Sequence, residues 1–372
     1  MLRRFIVSTC GIRASYNFRR FSPAQVLDLN KRAGDLFEKG EFAAAAKTWE
    51  EVVQLEKAAI KVGSSPNPNL MHCLHNLACA YGELGNVVKK MELLQESLSM
   101  IEATYGKKHP QYAMALFNLA STYGDVGRTK EMKSMVLETL QIHEQLFHST
   151  HPKVGRVLSL LAVSHERLGE FSDQLLVAER AAHIISKHCG RDHIQTALAT
   201  AALGKAHARN GDIPKMLQLV RSAHDSQEIK LGATNPQMVP LMVELAEAHG
   251  QAGEHFVRRE MLEKAIEAQK RALGVFHFHL FDVFLKLSDA CRQLGDFDAA
   301  LDALMHSLRI AEERPSASTS VGIAKSEIAI LYNQMGNRKA SRSFAQAALD
   351  LLDPSNAIVI SKLKSIVSEH DD

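Results

Sequence analysis

The sequence contains no Walker-type phosphate loop, no GxSxG nucleophile elbow and no HExxH zinc helix. The local signatures of nucleotide, acyl-transfer and metalloprotease chemistry are therefore missing. No run of about 18 apolar residues occurs, so no membrane span is expected. Cysteine is scarce: Cys10, Cys73, Cys79, Cys189 and Cys291 form no CxxC pair and no ribbon spacing. That excludes a disulfide framework and a structural zinc module, and reads as free, mostly buried thiols in a reducing compartment. No β-rich segment is present. What the chain has in quantity is apolar residues, 46% of 372, enough for a continuous core.

Acid is missing from one place. Residues 1–21, "MLRRFIVSTCGIRASYNFRRF", hold Arg3, Arg4, Arg13, Arg19 and Arg20 and no Asp or Glu. Arg-rich, Ser-bearing and acid-free is the composition of a mitochondrial transit peptide, and the interior arginines break up the apolar core that a secretory signal needs. Residues 1–21 are read as such a presequence, ending near Arg20-Phe21. Ordered structure should start at "SPAQ" (22–25), where Ser22 can cap, Pro23 fits a first helical turn and Gln25 can close a capping box. The whole chain carries 44 Lys+Arg against 42 Asp+Glu; without the five leading arginines, 39 basic residues face 42 acidic ones. Such a body has no charge signature for a nucleic-acid polyanion.

The organising feature is repetition. "HNLACAYGELG" (75–85) returns as "FNLASTYGDVG" (117–127), and the closing glycine recurs at Gly40, Gly85, Gly127, Gly169, Gly211, Gly253, Gly295 and Gly336, at intervals of 45, 42, 42, 42, 42, 42 and 41. A fixed period of this length means stacked supersecondary units. Seven residues before each of these register glycines stands a small side chain: Ala33, Ala78, Ala120, Ala162, Gly204, Ala246, Ser288 and Ala329. Four before stand mostly larger groups: Leu36, Tyr81, Tyr123, His165, His207, His249, Cys291 and Tyr332. Pro68, Pro110, Pro152 and Pro236 mark helix starts in one register. Gly106, Gly190, Gly232 and Gly274 mark helix ends, where a left-handed glycine is expected. Each unit reads as helix A, a tight turn at the register glycine, helix B and a short loop. In the third unit, helix A covers about 110–124 and helix B about 129–146, with Met132, Met135, Val136, Leu140 and Ile142 on one apolar face. "KVGSSPNPN" (61–69) reads as a loop. Residues 353–372 read as a capping helix, about 354–368, and tail, covering the last repeat with Ile358, Ile360, Leu363, Ile366 and Val367.

The register, and "HPQYAMALFNLASTYGDVG" (109–127) in particular, resembles the tetratricopeptide repeat family in its 42-residue kinesin-light-chain form. The resemblance covers about residues 23–351. It implies an all-α fold: a right-handed superhelical solenoid of about eight helical hairpins over residues 22–352, whose A helices line a concave groove for peptides or protein surfaces. The family favours a small residue five after the register glycine. Ala45 and Ala300 keep it; Lys90, Met132, Gln174, Met216 and Arg258 do not, which puts the packing of the middle repeats in question.

By register the groove is lined by His72, His75, Asn76, Cys79 and Glu83 in the second unit and by Phe117, Asn118, Ser121 and Asp125 in the third. Later units add Arg156, Arg167, Lys205 and Arg209, then Glu244, Glu247, Lys286, Asp289 and Arg292. The resemblance implies that Asn76 and Asn118 hold the backbone of an extended peptide, an amide supplying both donor and acceptor. Charge comes in blocks along the sequence: acidic at Glu83 and Asp125, basic from Arg156 to Arg209, acidic at Glu244 and Glu247. Blocks of both signs suit a particular protein surface better than a uniform phosphate backbone, with Arg167 and Arg209 placed to select acidic side chains. Metal is not expected: His72, His75 and Cys79 read as polar lining, His188, Cys189 and His193 lack a fourth ligand, "HFHLF" (277–281) reads as cap and core, and "HEQLFH" (143–148) has the wrong spacing. No cofactor is expected.

The reading these features favour is a non-catalytic mitochondrial scaffold or assembly factor, matrix or inner-membrane-associated, binding a protein or peptide ligand in the groove, a large mitochondrial complex included. An organellar RNA-binding helical repeat is the alternative from another class; its repeats run nearer 35 residues and call for a basic stripe. A cytosolic kinesin-light-chain-like cargo adaptor is a third; the heptad coiled coil that precedes the repeats in that protein has no counterpart here.

Overall fold

A computed structural model describes residues 23–60, 68–313, 318–352 and 356–368; the presequence reading and most of the 61–69 loop fall outside them. Among the described residues every regular element is a helix. The chain divides into two compact units, Met1–His148 and Ser149–Asp372. In the first, α1 (Pro23–Glu38), α2 (Phe42–Ile60), α3 (Pro68–Glu83), α4 (Val87–Tyr105), α5 (Pro110–Asp125) and α6 (Thr129–Leu146) form three A–B hairpins. α3 begins at Pro68, where the proline register places a helix start, so Asn69, read as part of the loop, already belongs to the helix. The second contains α7 (Pro152–Leu168), α8 (Phe171–Cys189), α9 (Ile194–Arg209), α10 (Ile213–Leu231), a single 3-10 turn (Pro236–Met238), α11 (Val239–Gln251), α12 (His255–Leu273), α13 (Leu280–Gln293), α14 (Phe297–Glu312), α15 (Ser318–Gln334), α16 (Arg338–Leu349) and α17 (Ala357–Ser368).

One turn geometry recurs in all eight hairpins. The residue after the register glycine donates its N–H to the carbonyl four residues before that glycine, at 2.9–3.0 Å, from Glu41 to Leu36 through Asn337 to Tyr332. This is the outer bond of a Schellman closure, which needs a left-handed residue; Gly169 supplies it with φ 75°, ψ 16°. The turn also starts helix B: Asn86, Asp212, Asp296 and Asn337 each accept from the N–H three residues on. The glycines that end the B helices differ from expectation. Gly106 has φ 77° but ψ 167°, an extended positive-φ conformation open essentially to glycine alone. A-helix starts are capped by imidazole: His109, His151 and His193 accept through Nδ1 from the N–H two residues on, at 3.1–3.2 Å.

The small residues seven before the register glycine are all buried, Ala33, Ala78, Ala120, Ala246 and Ala329 completely, so the paired helices meet there. In the first unit Trp49 is fully buried and donates through Nε1 to Asn30 Oδ1 at 2.8 Å. On α6, Met132, Val136 and Ile142 are buried while Met135 and Leu140 are half-buried. In the second unit a continuous core runs from Ile194 to Leu331. α17 packs on α15 and α16 with Leu363 and Ile366 buried; Ile358, expected in that contact, is 88% exposed, because α17 begins at Ala357 and its first turn precedes the covering face.

The departures five residues after the register glycine are packed, not loose: Met132, Gln174, Met216 and Arg258 are all buried. Room comes from the position three before the same glycine. Gly82 faces Lys90 and Gly250 faces Arg258 so closely that a Cβ would stand 3.1 Å and 2.6 Å from the Cδ of the cation. In four further repeats the two positions trade volume along the sequence: Gly124 accompanies Met132 and Ala208 accompanies Met216, whereas Phe37 accompanies Ala45 and Arg292 accompanies Ala300; Gln174, accompanied by Glu166, does not follow this.

Candidate functional site

Each unit presents a face built from its A helices. In the first, α3 carries His72, His75, Asn76, Cys79 and Glu83, and α5 carries Phe117, Asn118, Ser121 and Asp125; His72 and Asp125 are exposed and the others half-buried. His75 Nε2 lies 3.7 Å from Cys79 Sγ, one turn on. Burial pushes the His75 imidazole down to about 4, helped by His72 and Lys90. Burial also pushes the Cys79 thiol up to about 11. These groups are therefore neutral at neutral pH, a polar lining rather than a nucleophile or a charged patch. Lys90 reaches from α4 past Gly82 and meets Asp125 Oδ2 at 3.2 Å. Asn76 and Asn118 occupy the same register position, and neither side-chain amide makes a hydrogen bond among the described residues.

In the second unit α7 touches α9 and α9 touches α11 directly, which brings the A helices together. Their charges interlock. Glu166 of α7 accepts from Arg209 Nε and Nη2 at 3.1 and 3.0 Å and lies 3.2 Å from Lys205 Nζ. Arg258, from α12, crosses Gly250 to bridge Glu247 (3.1 Å) and Asp289 (2.7 Å) while only 7% exposed. Lys286 adds a 3.4 Å contact to Glu247, and Arg292 meets Asp289 at 2.5 Å and Glu327 at 3.8 Å. Burial alone would raise the Asp289 carboxyl; bonds from Arg258 and Arg292 outweigh it and hold it below the usual range. Arg156 and Arg167 are exposed on α7.

The blocks of charge read along the sequence are thus cross-paired in space, and Arg209 is already held by an acid. Sequence reasoning missed Glu166, Arg258, Glu327 and the role of Lys90. The available signal was a long cation five after the register glycine coinciding with a glycine three before it. The other candidate clusters resolve into local structure: His193 caps α9, His277 Nδ1 accepts from His279 N at 3.3 Å, and Phe281 is core. His165 and His249 contact Glu170 and Glu254 through Nδ1 at 2.6 and 2.5 Å, one repeated brace across the hairpin turn. Among the described residues no helix is long and apolar enough to cross a membrane.

No curated protein sequence matches the chain. A Rap protein complexed with Competence and Sporulation Factor is similar in structure at 12% identity and a TM-score of 0.62, over 94% of this chain and 90% of that one. The apo quorum sensor NprR from B. thuringiensis matches at 13% identity and TM-score 0.56, over 89% and 87%. The kinesin light chain nearly identical TPR-like repeats of Podosopora anserina match at 22% identity and TM-score 0.46, over 56% and 98%. At such identities the first two likenesses concern the fold. Residues 70–111 and 237–313 match the tetratricopeptide repeat family, and the hairpins outside these two stretches share the same turn geometry.

Proposed function

We propose that the protein is a non-catalytic interaction scaffold of mitochondria that holds an extended peptide, or an extended stretch of a protein partner, on its A-helix faces. The observation that carries this is the pair Asn76 and Asn118: half-buried amides in one register on successive A helices, whose side chains make no hydrogen bond among the described residues. A half-buried amide without a partner is a ready donor and acceptor for a peptide backbone. The surrounding imidazoles and thiol are neutral, so the face offers hydrogen bonds rather than bulk charge. The Rap protein in complex with Competence and Sporulation Factor supports a binding role by analogy of fold alone. The mitochondrial address rests on the arginine-rich, acid-free residues 1–21.

Two measurements test the reading. A partner recovered by affinity purification from isolated mitochondria is titrated against the wild type and the Asn76→Ala/Asn118→Ala variant. Weaker binding with an unchanged melting temperature is expected, since substitutions on a solvent-facing surface usually change stability by less than about 0.5 kcal/mol. Unchanged affinity would remove the A-helix face of the first unit as the working surface. For the address, sequencing of the mature protein should find its N-terminus near Ser22; an intact Met1 and diffuse cytosolic fluorescence of the tagged chain would refute it.

A further inference from the structure

One side-chain cluster of the second unit breaks the repeat at a position where the repeat is otherwise strict. Thirteen residues after the register glycine an apolar residue stands in seven of the eight repeats, Val53, Leu98, Ile266 and Leu308 among them; in the fifth repeat His224 stands there. The imidazole takes the buried place of those side chains on α10, at 5% exposure, and turns Nδ1 to two carboxylates of the same helix. Asp225 Oδ1 lies 3.2 Å away and Glu228 Oε2, one turn on, 3.9 Å away. The three donor atoms all fall within 4.8 Å of one another.

A buried histidine braced by a single acid looks different in this protein: His165 and His249 meet Glu170 and Glu254 at 2.6 and 2.5 Å. No contact around His224 closes in that way. One ring N–H cannot serve two carboxylates, and both separations exceed the about 2.7–2.9 Å of a charge-assisted bond. Among the described residues no lysine or arginine nitrogen comes within 4.0 Å of either carboxylate; Lys230, on the same helix, donates instead to the carbonyl of Asp192 at 3.0 Å. The set is held open, with its donors spaced like the ligands of an ion whose bonds measure about 2.0–2.2 Å.

We propose that His224, Asp225 and Glu228 bind a divalent transition-metal ion, with zinc as its type. Imidazole together with carboxylate oxygens suits zinc and its first-row neighbours, whereas magnesium and calcium take oxygen ligands. His224 supplies its nitrogen from the dry side of the helix; Asp225 and Glu228, with 58% and 44% of their side-chain surface exposed, supply charge from the wet side. Three protein ligands leave a tetrahedral ion one position for water or for a group of another molecule. The site lies on a B helix, apart from the A-helix faces proposed to hold peptide.

The test uses the full chain, stripped with a chelator, and zinc chloride alone. The chain has 18 histidines, so the site is read as a difference between proteins in calorimetric titrations. The wild type should bind one zinc equivalent more than His224→Leu, which gives the fifth repeat the kind of residue the others carry and should melt no lower than the metal-free wild type. Asp225→Asn and Glu228→Gln, on the exposed side of the helix, should keep the metal-free melting temperature. Each should weaken that equivalent by at least the roughly 10- to 100-fold that loss of a supporting partner costs. His249→Gln, which removes a closed brace, should leave the titration unchanged. Amide hydrogen exchange locates the ion: zinc should slow exchange in α10 of the wild type and not in His224→Leu. The site would be overturned if His224→Leu bound as many equivalents as the wild type with the same affinity, or if Asp225→Asn and Glu228→Gln both titrated like the wild type. Should His224→Leu fail to fold, the two carboxylate variants decide the matter on their own.

Discussion

Arg258 extends a guanidinium from α12 into an A-helix face, at 7% exposure, between two carboxylates that keep 27% and 34% of their side-chain surface. Removing one partner of such a group strands the others, typically at about 3–5 kcal/mol; with both carboxylates partly wet, Arg258→Ala should cost near the lower end, read from chemical denaturation. The cost should depend on pH in a definite sense. The Asp289 carboxyl lies below its ordinary value in the folded state, so its contribution is present above the unfolded carboxylate range and is lost as pH falls through the folded pKa. The gap between wild type and Arg258→Ala should therefore be widest near neutrality and shrink in acid. His75 acts in a higher window. Its imidazole moves from 6.5 to about 4 on folding, chiefly by burial and then by His72 and Lys90. The unfolded chain binds the proton more readily, so stability falls as pH drops from 6.5 toward 4. His75→Gln should flatten the melting-temperature profile over that interval; a profile identical to the wild type would mean that His75 protonates freely in the fold.

At the scale of the element, the hairpin was legible from spacing because its constraints are local. A positive φ at the register glycine, a small side chain where two helices meet and a proline at the helix start act within a few residues, so each leaves a mark every 42 positions. Partnership across helices leaves no such mark. Glu166 and Arg209 stand 43 residues apart, and no rule of periodicity chooses that pair over the exposed Arg167 beside it. Arg258 looked like a defect in the repeat because its space is provided on the other helix, by Gly250. That dependence is measurable. In Gly250→Ala the new Cβ would stand 2.6 Å from Arg258 Cδ, a separation that side chains do not tolerate, so the Arg258 side chain must shift and its bridge is strained. Overpacking of this kind costs about 1–3 kcal/mol. In the Gly250→Ala/Arg258→Ala double variant the clash is gone, and the two costs should fall clearly short of adding. Strict additivity would show that the glycine and the arginine are independent.

Within each of the two units, helices pack mainly on their neighbours in sequence, α1 to α6 in the first and α7 to α17 in the second. In such a chain stability is approximately a sum of repeat terms and nearest-neighbour terms, so damage stays local and decays along the array. Ala120 and Leu363 are both fully buried, the first on α5 in the first unit and the second on α17 in the second. Ala120→Trp forces volume between two helices at their closest approach, at about 1–3 kcal/mol or more. Leu363→Ala opens a cavity under α17, where a Leu→Ala change costs about 2–5 kcal/mol. The measured loss for Leu363→Ala is bounded above by the docking energy of α17, because a terminal helix can detach before the cavity is fully felt. Amide hydrogen exchange distinguishes the two outcomes. Leu363→Ala should speed exchange in α15, α16 and α17 and leave α3 to α6 as protected as in the wild type. Ala120→Trp should do the reverse, deprotecting α3 to α6 and sparing α13 to α17. If either substitution lowered protection evenly over both units, the chain would be unfolding as one cooperative body, and the additive description of its repeats would be wrong.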